Sequence, residues 1–213
     1  MDPVRIGLIG CGVISGDYLG AAATFDVLRF VGCADIDASA AHRTEERFGV
    51  PAMSVDELLG RDDVEVILNL TIPAAHAAVN LAAIEAGKHA YCEKPFGLDV
   101  AEGERVLEAA DAAGLRVGCA PDTFLGGGHQ TVRRLIDAGA VGTPVAATAF
   151  MMKLGHEIWH PNPAFYYQPG GGPLFDMGPY YLTALVHALG PVRRVAAITN
   201  RGRATRTVGS GPR

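Results

Sequence analysis

Over the first 120 residues, short apolar runs alternate with longer amphipathic stretches. Val4 to Ile9, Leu28 to Ala34, Val64 to Leu70, His89 to Cys92 and Arg116 to Ala120 each read as a strand. Val64 to Leu70 is almost continuously apolar, the pattern of a parallel strand buried on both faces. The helical patterns between them have readable ends. A helix follows the first strand to about Ala23, and Asp37 is placed to cap one over Ala38 to Phe48 that stops at Gly49. Ser54-Val55-Asp56-Glu57 is a capping box opening a short helix. Ala74 to Ala86 closes at Gly87, and Asp99 with Glu102 opens a helix running to Ala113. Strands and helices in this alternation predict an α/β fold with a doubly wound parallel sheet.

After Thr123 the pattern changes. Phe124 to Gly128 reads as a Gly-rich hinge and Gln130 to Ala138 as a helix ended by Gly139. Pro144 to Met152 and Val192 to Thr199 have strand character, and Leu154 to Gly172 is rich in Gly, Pro and aromatic residues. Pro173 to Leu189 is a helix ended by Gly190-Pro191. Asn200 to Arg213 offers almost nothing to bury and is expected to be disordered unless more chain follows it. Two domains are expected, residues 1–123 and 124–213, the second of α+β type.

Composition narrows the function classes. With 49% hydrophobic residues a chain of 213 can bury a substantial core, and its net charge of −5 argues against a nucleic-acid partner. No apolar run approaches the roughly 20 residues of a membrane span, and the N-terminus has no signal-peptide layout. Cys11, Cys33, Cys92 and Cys119 show no paired-ligand spacing and read as small apolar residues in a reducing cytosol. A cytoplasmic protein without a metal site is expected.

Candidate chemistry collects where the strands end. Gly10-Cys11-Gly12-Val13-Ile14-Ser15-Gly16 follows the first strand and opens a helix, the setting in which such glycines bind a dinucleotide. Gly10 permits the tight turn, and Gly12 lets the backbone approach a pyrophosphate at the helix N-terminus. Ser15 stands where the third glycine is usual. Gly10, Gly12, Val13 and Ile14 are the candidate contacts of this loop. Asp35 ends the second strand, where an acid accepts hydrogen bonds from the ribose hydroxyls and repels a 2′-phosphate, so NAD is expected ahead of NADP. A turn-starting role for Asp35 is the plainer alternative. Thr71, Pro73 and His76 follow the third strand at the expected cofactor edge, although His76 as a capping or packing residue is the simpler role. Glu93-Lys94-Pro95 follows the fourth strand; Lys94 there presents an ammonium to a ligand, or is an ordinary surface lysine before a loop proline.

Two further constellations lie in the second part. The helix from Pro173 puts Asp176, Tyr180, Thr183 and His187 on one face, with Leu174, Tyr181, Leu182, Leu185 and Leu189 covering much of the rest. That stripe is either a row of ligand-binding groups or the solvated face of an amphipathic helix. His156-Glu157-Ile158-Trp159-His160 matches a zinc-protease signature, but Gly155, Pro161 and Pro163 argue against the continuous helix that chemistry needs. An aromatic loop is expected instead, with Trp159, His160, Tyr166 and Tyr167 serving hydroxyl-rich ligands or simply packing locally.

Together, Gly10-x-Gly12, Asp35, Thr71-x-Pro73-x-x-His76, Glu93-Lys94-Pro95, and Gly171-Gly172 followed by Asp176-x-Gly178 resemble the glucose–fructose oxidoreductase/inositol dehydrogenase/MocA family. The resemblance implies a Rossmann-type nucleotide domain, followed here by an incomplete open-sheet substrate domain, so the chain reads as a member truncated at its C-terminus. It implies NAD-dependent hydride transfer at a hydroxyl-bearing carbon of a sugar or cyclic polyol. Glu93 and Lys94 join the cofactor contacts, and Lys94 takes part in proton transfer. Asp176 is implied as the acid of a relay whose histidine falls four residues on, where this chain has Tyr180. A phenol, with an ordinary pKa of about 10, is a poor base near neutrality. Tyr180 is therefore expected to hold the substrate oxygen while Lys94 moves the proton. Homo-oligomers are implied as possible partners. The alternative reading is a dinucleotide-binding sensor or regulator without catalysis, or an inactive fragment.

Overall fold

The fold was obtained as a computed structural model, which describes residues 2–158, 160, 163–200, 202, 205 and 207. Two compact units divide the chain, Met1–Ala120 and Pro121–Arg213. The sequence places the change of character slightly later, after Thr123.

The first unit is a five-stranded parallel sheet flanked by helices. Its strands are β1 (Val4–Ile9), β2 (Leu28–Ala34), β3 (Val66–Asn69), β4 (His89–Cys92) and β5 (Val117–Cys119), in the order β2-β1-β3-β4-β5. Every neighbouring pair is parallel, with Ile9 beside both Ala34 and Asn69, and Cys92 beside Asn69 and Cys119. The helices are α1 (Ser15–Ala22), α2 (Ala38–Phe48), α3 (Val55–Leu59), α4 (His76–Glu85) and α5 (Val100–Ala113). Strand β3 shows why the run is apolar throughout. Leu68 packs with Ile6, Leu8, Leu19 and Cys33, whereas Ile67 packs with Ile9, Leu58, Ala83 and Ala90. Successive side chains enter opposite cores, so neither face tolerates a polar alternation.

The caps are those the sequence announces. Asp37 accepts from the Ser39 amide at 3.0 Å, and Ser54 with Glu57 forms a reciprocal capping box. Asp99 accepts from the Glu102 amide at 2.8 Å. Helices α2 and α5 end on the left-handed glycines Gly49 and Gly114. Ala74 to Ala86 is not one helix. Pro73–Ala75 forms a 3-10 turn and α4 begins at His76, because Pro73 has no N–H to give and starts the tighter turn.

In the second unit, α6 (Gly127–Asp137) and α7 (Gly172–Leu189) are the long elements. The Gly-rich stretch expected as a hinge is a 3-10 turn over Thr123–Leu125 followed by the first turn of α6. The expected strands over Pro144 to Met152 and Val192 to Thr199 are not formed among the described residues. Both segments are open to solvent, with Val145 94% and Ile198 101% exposed. Strand propensity needs a neighbour to pair with, and no described strand lies beyond Cys119. The expectation of disorder for Asn200 to Arg213 falls largely on residues outside those described. No described helix is long and apolar enough to cross a membrane.

Candidate functional site

In the first unit, the strand order reverses between β1 and β3, and the loops after these strands open at the carboxyl end of the sheet. Open parallel sheets bind ligands at such a switch point. Gly10, at the end of β1, has φ 101°, and a Cβ there would lie 2.5 Å from the Leu70 carbonyl carbon. No side chain fits. At Gly12 a Cβ would meet nothing within 4 Å, so the backbone borders open space. Val13 and Ile14 beside it expose apolar side chains, at 71% and 39%. Ser15 is buried and donates its hydroxyl to the Gly12 carbonyl at 2.7 Å, closing the turn in place of a third glycine.

Asp35 reaches back to this loop. One carboxylate oxygen accepts from the Cys11 amide at 2.7 Å, the other from the Asp37 amide at 2.9 Å. Ionised oxygens keep further lone pairs for a ligand. The open flank of Gly12, the braced acid and the apolar rim together fit a dinucleotide, whose phosphates would lie over the loop and whose ribose would meet Asp35.

The loops after β3 and β4 are tied to one another. Asn69, fully buried, accepts from the Thr71 hydroxyl at 2.6 Å and from its amide at 3.2 Å. Its amide nitrogen donates to the His76 carbonyl at 3.0 Å and to Asn80 at 2.9 Å. His76 is 1% exposed, with Nδ1 2.6 Å from the Pro95 carbonyl and Nε2 3.0 Å from the Thr71 carbonyl. Carbonyls only accept, so a neutral ring with one N–H serves one of them and a doubly protonated ring serves both. Both ring nitrogens face main-chain carbonyls, so His76 joins the Thr71 and Pro95 loops. Pro73 sits half-buried at the start of its 3-10 turn.

Lys94 is half-buried, and the Lys94–Pro95 bond is cis. Its amide donates to the Glu93 carboxylate at 3.0 Å, and the other Glu93 oxygen accepts from the Tyr18 hydroxyl at 2.8 Å. The tripeptide is thus held at Glu93 by α1 and at Pro95 by α4. Cys92 and Cys119 end β4 and β5, Cys33 lies in β2 with its thiol against the Ala41 and Val50 carbonyls, and all four cysteines are free. A hydrogen bond to Cys11 and then burial push the Cys33 thiol up, and Cys92 does the same to Cys119.

In the second unit the polar stripe of α7 is formed, but its environment is the reverse of an ordinary amphipathic helix. Asp176, Tyr180, Thr183 and His187 are half-buried, whereas Leu174, Leu182 and Leu189 are exposed. Asp176 lies 3.7 Å from Nε2 of His156, and the His187 ring packs against Phe124 with centroids 5.3 Å apart. Arg133 of α6 donates to the carbonyls of His187 and Ala188 at 2.9 and 3.1 Å, tying down the end of α7. Pro179 stands inside α7 and removes one helix hydrogen bond beside Tyr180.

The zinc-protease lookalike is not on a continuous helix. His156–Ile158 is a single 3-10 turn, and the His160 amide returns to the His156 carbonyl at 2.9 Å. Glu157 takes a hydrogen bond from the Tyr167 hydroxyl. Tyr166 is buried and stacks on His156 at 3.9 Å, so its ring is packing rather than an open face. Trp159 lies outside the described residues.

Sequence reasoning missed Tyr18, Asn69 and Asn80, and read His156 only as part of a zinc-site lookalike. Asn69 carried a signal: an amide inside an otherwise apolar strand pattern needs a buried partner. The others are fixed by contacts between distant segments.

Comparison with known proteins agrees with this layout. A family described as an oxidoreductase family with an NAD-binding Rossmann fold matches residues 4–120, and a GFO/IDH/MocA C-terminal domain matches residues 129–210. Among curated relatives, a 1,5-anhydro-D-fructose reductase of Ensifer adhaerens is 33% identical over 148 residues, covering 68% of this chain and 44% of the relative. An inositol 2-dehydrogenase of Saccharopolyspora erythraea is 35% identical over 149 residues, with the same coverage. The chain thus spans under half the length of these relatives. A 3-ketoreductase from Actinomadura kijaniata, solved with NADP and TDP-benzene, superposes with a TM-score of 0.73 at 31% identity, over 88% of this chain and 58% of that one. The chain belongs to the GFO/IDH/MocA oxidoreductase family.

Proposed function

We propose that this protein is an NAD-dependent dehydrogenase acting at a hydroxyl-bearing carbon of a sugar or cyclic polyol. The observation that carries the reading is the Glu93-Lys94-Pro95 turn, braced by Tyr18 at one end and His76 at the other. A lysine on so fixed a backbone, next to a dinucleotide loop, is suited to meet a reacting oxygen rather than to wander in solvent. The relatives named for anhydrofructose and inositol support the substrate class.

Bound NAD supplies the acceptor or donor of hydride. The chain's own residues handle the rest. Gly10 and Gly12 leave room for the pyrophosphate, Val13 and Ile14 flank it, and Asp35 holds the adenosine ribose. Thr71 and Pro73 line the opposite edge, kept in place by Asn69 and His76. In oxidation the substrate hydroxyl gives up its proton to Lys94, and in reduction Lys94 returns it. Asp176 orients the substrate and Tyr180 donates a hydrogen bond to its oxygen. Asp35 favours NAD over NADP, because its carboxylate repels a 2′-phosphate and the next residue, Ile36, offers no compensating charge.

Titration of the 213-residue chain with NADH and NADPH, followed by nicotinamide fluorescence, tests the cofactor half. Saturable NADH binding at least about tenfold tighter than NADPH is expected, a gap of roughly 1.4 kcal/mol. Equal affinities would remove the preference. Turnover is then measured with inositol and 1,5-anhydro-D-fructose. Tight NADH binding with no turnover of any polyol would favour the sensor reading instead.

A further inference from the structure

The loop between β1 and α1 carries a thiol at a place where phosphate binding asks only for small size. Cys11 stands between Gly10 and Gly12 and is half-buried, within reach of small solutes. Cys33, in β2, is wholly buried. Packing brings the two together. Cys11 lies against the core cluster that contains Cys33, and its Sγ is 3.6 Å from the carbonyl of the following residue, Ala34. The Cys33 thiol is hydrogen-bonded to the Cys11 sulfur, with the Ala41 and Val50 carbonyls at 3.6 and 3.4 Å as its other acceptors.

The two sulfurs are unequal. Donation from Cys33 holds the Cys11 thiol below its ordinary value, against burial and the Asp35 charge and with help from the Thr44 hydroxyl. The thiolate is the form that attacks oxidants, so the reactive sulfur is also the accessible one. Cys92 and Cys119 face each other too, as register partners in β4 and β5, but there the thiol held low by its neighbour, Cys92, is wholly buried. The anchoring is unequal as well. Cys33 lies beside Leu8 of β1 on one side, and on the other it bonds to Pro51 and Met53 at 2.8 and 3.0 Å. The Cys11 backbone is held through its amide, by Asp35 at 2.7 Å. A disulfide sets its sulfurs about 2.0 Å apart, well inside a thiol hydrogen bond. Closing one here moves Cys11 rather than Cys33 and draws its amide off Asp35. Gly10 has no room toward the Leu70 backbone, so the displacement passes to Gly12, whose surroundings are open.

We propose that Cys11 and Cys33 are a reversible oxidation site, closed to a disulfide by hydroperoxides and opened by dithiols, and that closing it disables the dinucleotide loop. The loss of cofactor rests on the dinucleotide reading of Gly10 to Gly12; the disulfide itself does not. The Cys11 thiolate attacks one peroxide oxygen, the O–O bond breaks, and the departing oxygen leaves as water after taking up a proton. Cys11 is then a sulfenic acid, two electrons poorer. The Cys33 sulfur attacks it, the S–S bond forms and the S–O bond breaks, and the hydroxide leaves as water with the Cys33 proton. Two thiols and one hydrogen peroxide thus give one disulfide and two waters. A dithiol reductant reverses the step by exchange and becomes a disulfide itself.

The test treats the whole chain with hydrogen peroxide and maps its peptides by mass without reduction. Wild type should lose two hydrogens and yield a linked Cys11–Cys33 peptide pair, and dithiothreitol should undo the link. Fluorescence titration should show NADH affinity lowered at least about tenfold in the oxidised chain and recovered on reduction. The double change Cys92→Ala/Cys119→Ala should behave as wild type does, which separates the two thiol pairs. In Cys33→Ala, checked for folding by circular dichroism, no internal link should form and a dimedone probe should label Cys11 as the sulfenic acid. Where that variant does not fold, Cys11→Ser takes its place and should likewise form no link. Peroxide treatment that leaves Cys11 and Cys33 unlinked, or links only Cys92 to Cys119, would overturn the site. A mapped Cys11–Cys33 link with unchanged NADH affinity would overturn its effect on the loop. A reduced chain that does not bind NADH would overturn the cofactor reading and that effect with it, while the oxidation site still stands or falls on the mapped link.

Discussion

The two units of this chain spend their apolar residues differently. In the first, both faces of a parallel sheet are covered, and Leu8, Leu58, Ile67 and Val106 are wholly buried. In the second, the buried apolar residues among the described ones are Tyr166 and the prolines Pro121 and Pro163. Val145, Phe150, Met152 and Val195 stand in water although their neighbourhoods have strand composition. The contrast separates two sources of order. The first unit closes its hydrogen bonds and its core within itself. The second is ordered around polar and aromatic contacts: Arg133 on the end of α7, and His156 between Asp176 and Tyr166.

That contrast can be broken by experiment, and the largest effect is expected at the braced lysine. Lys94→Ala should lower turnover by about 10²- to 10⁴-fold, the range of a lost acid–base group, while NADH affinity stays within about threefold. Steady-state rates and a fluorescence titration on the same preparation check both halves; wild-type turnover would remove Lys94 from the chemistry. Leu8→Ala should destabilise the first unit by about 2–5 kcal/mol, read as a lower urea midpoint. Gly10→Ala places a methyl against the Leu70 backbone in a conformation that disfavours side chains, at a cost of about 1–3 kcal/mol. It should also abolish NADH binding, and a variant that still binds would show that the loop has another available path. Tyr18→Phe removes a hydrogen bond to Glu93 with little change of shape, at a cost of about 1.5–3 kcal/mol at most, and should lower kcat more than NADH affinity.

The smallest effect is the sharpest control. Val195→Ser, at a position 83% exposed, should change stability by less than about 0.5 kcal/mol. A change as large as that of Leu8→Ala would mean that residue 195 is buried in solution against something else, such as a second copy of the chain. Acid should also separate the elements. The caps hold Asp37 and Glu57 below the ordinary carboxylate range, through hydrogen bonds to Ser39 and Ser54. A depressed carboxylate stabilises above its unfolded pKa and loses that contribution as the pH falls through its folded one. Amide exchange at the starts of α2 and α3 should therefore rise as the pH drops below about 4.

Much of the first unit was legible in the sequence because its signals are local. Gly10, Asp37, the Ser54–Glu57 box and Gly114 each announce a turn or a cap within a few residues. Asp35 and Glu93-Lys94-Pro95 were readable because strand ends bring them to one edge of the sheet. The bracing was not legible. Tyr18 finds Glu93 across 75 positions and His76 finds Pro95 across 19, distances that periodicity does not report. Helix α7 misled in another way. Its leucine pattern predicts which face is apolar but not that Leu182 stays outside while Asp176 turns toward His156. Strand propensity at 144–152 and 192–199 failed for want of a pairing partner among the described residues.

The grip of Asp35 on its surroundings has a consequence for redesign. Its two oxygens hold the amides of Cys11 and Asp37, so the group proposed to tell one coenzyme from the other is also the clasp of the Gly10–Gly12 loop. A swap to a small neutral residue, the usual move when broadening acceptance to a phosphorylated ribose, would slacken the pyrophosphate turn at the same stroke. Conversion would call for two coordinated changes. One would install a cation for the extra phosphate. The other would give the Cys11 amide a new acceptor.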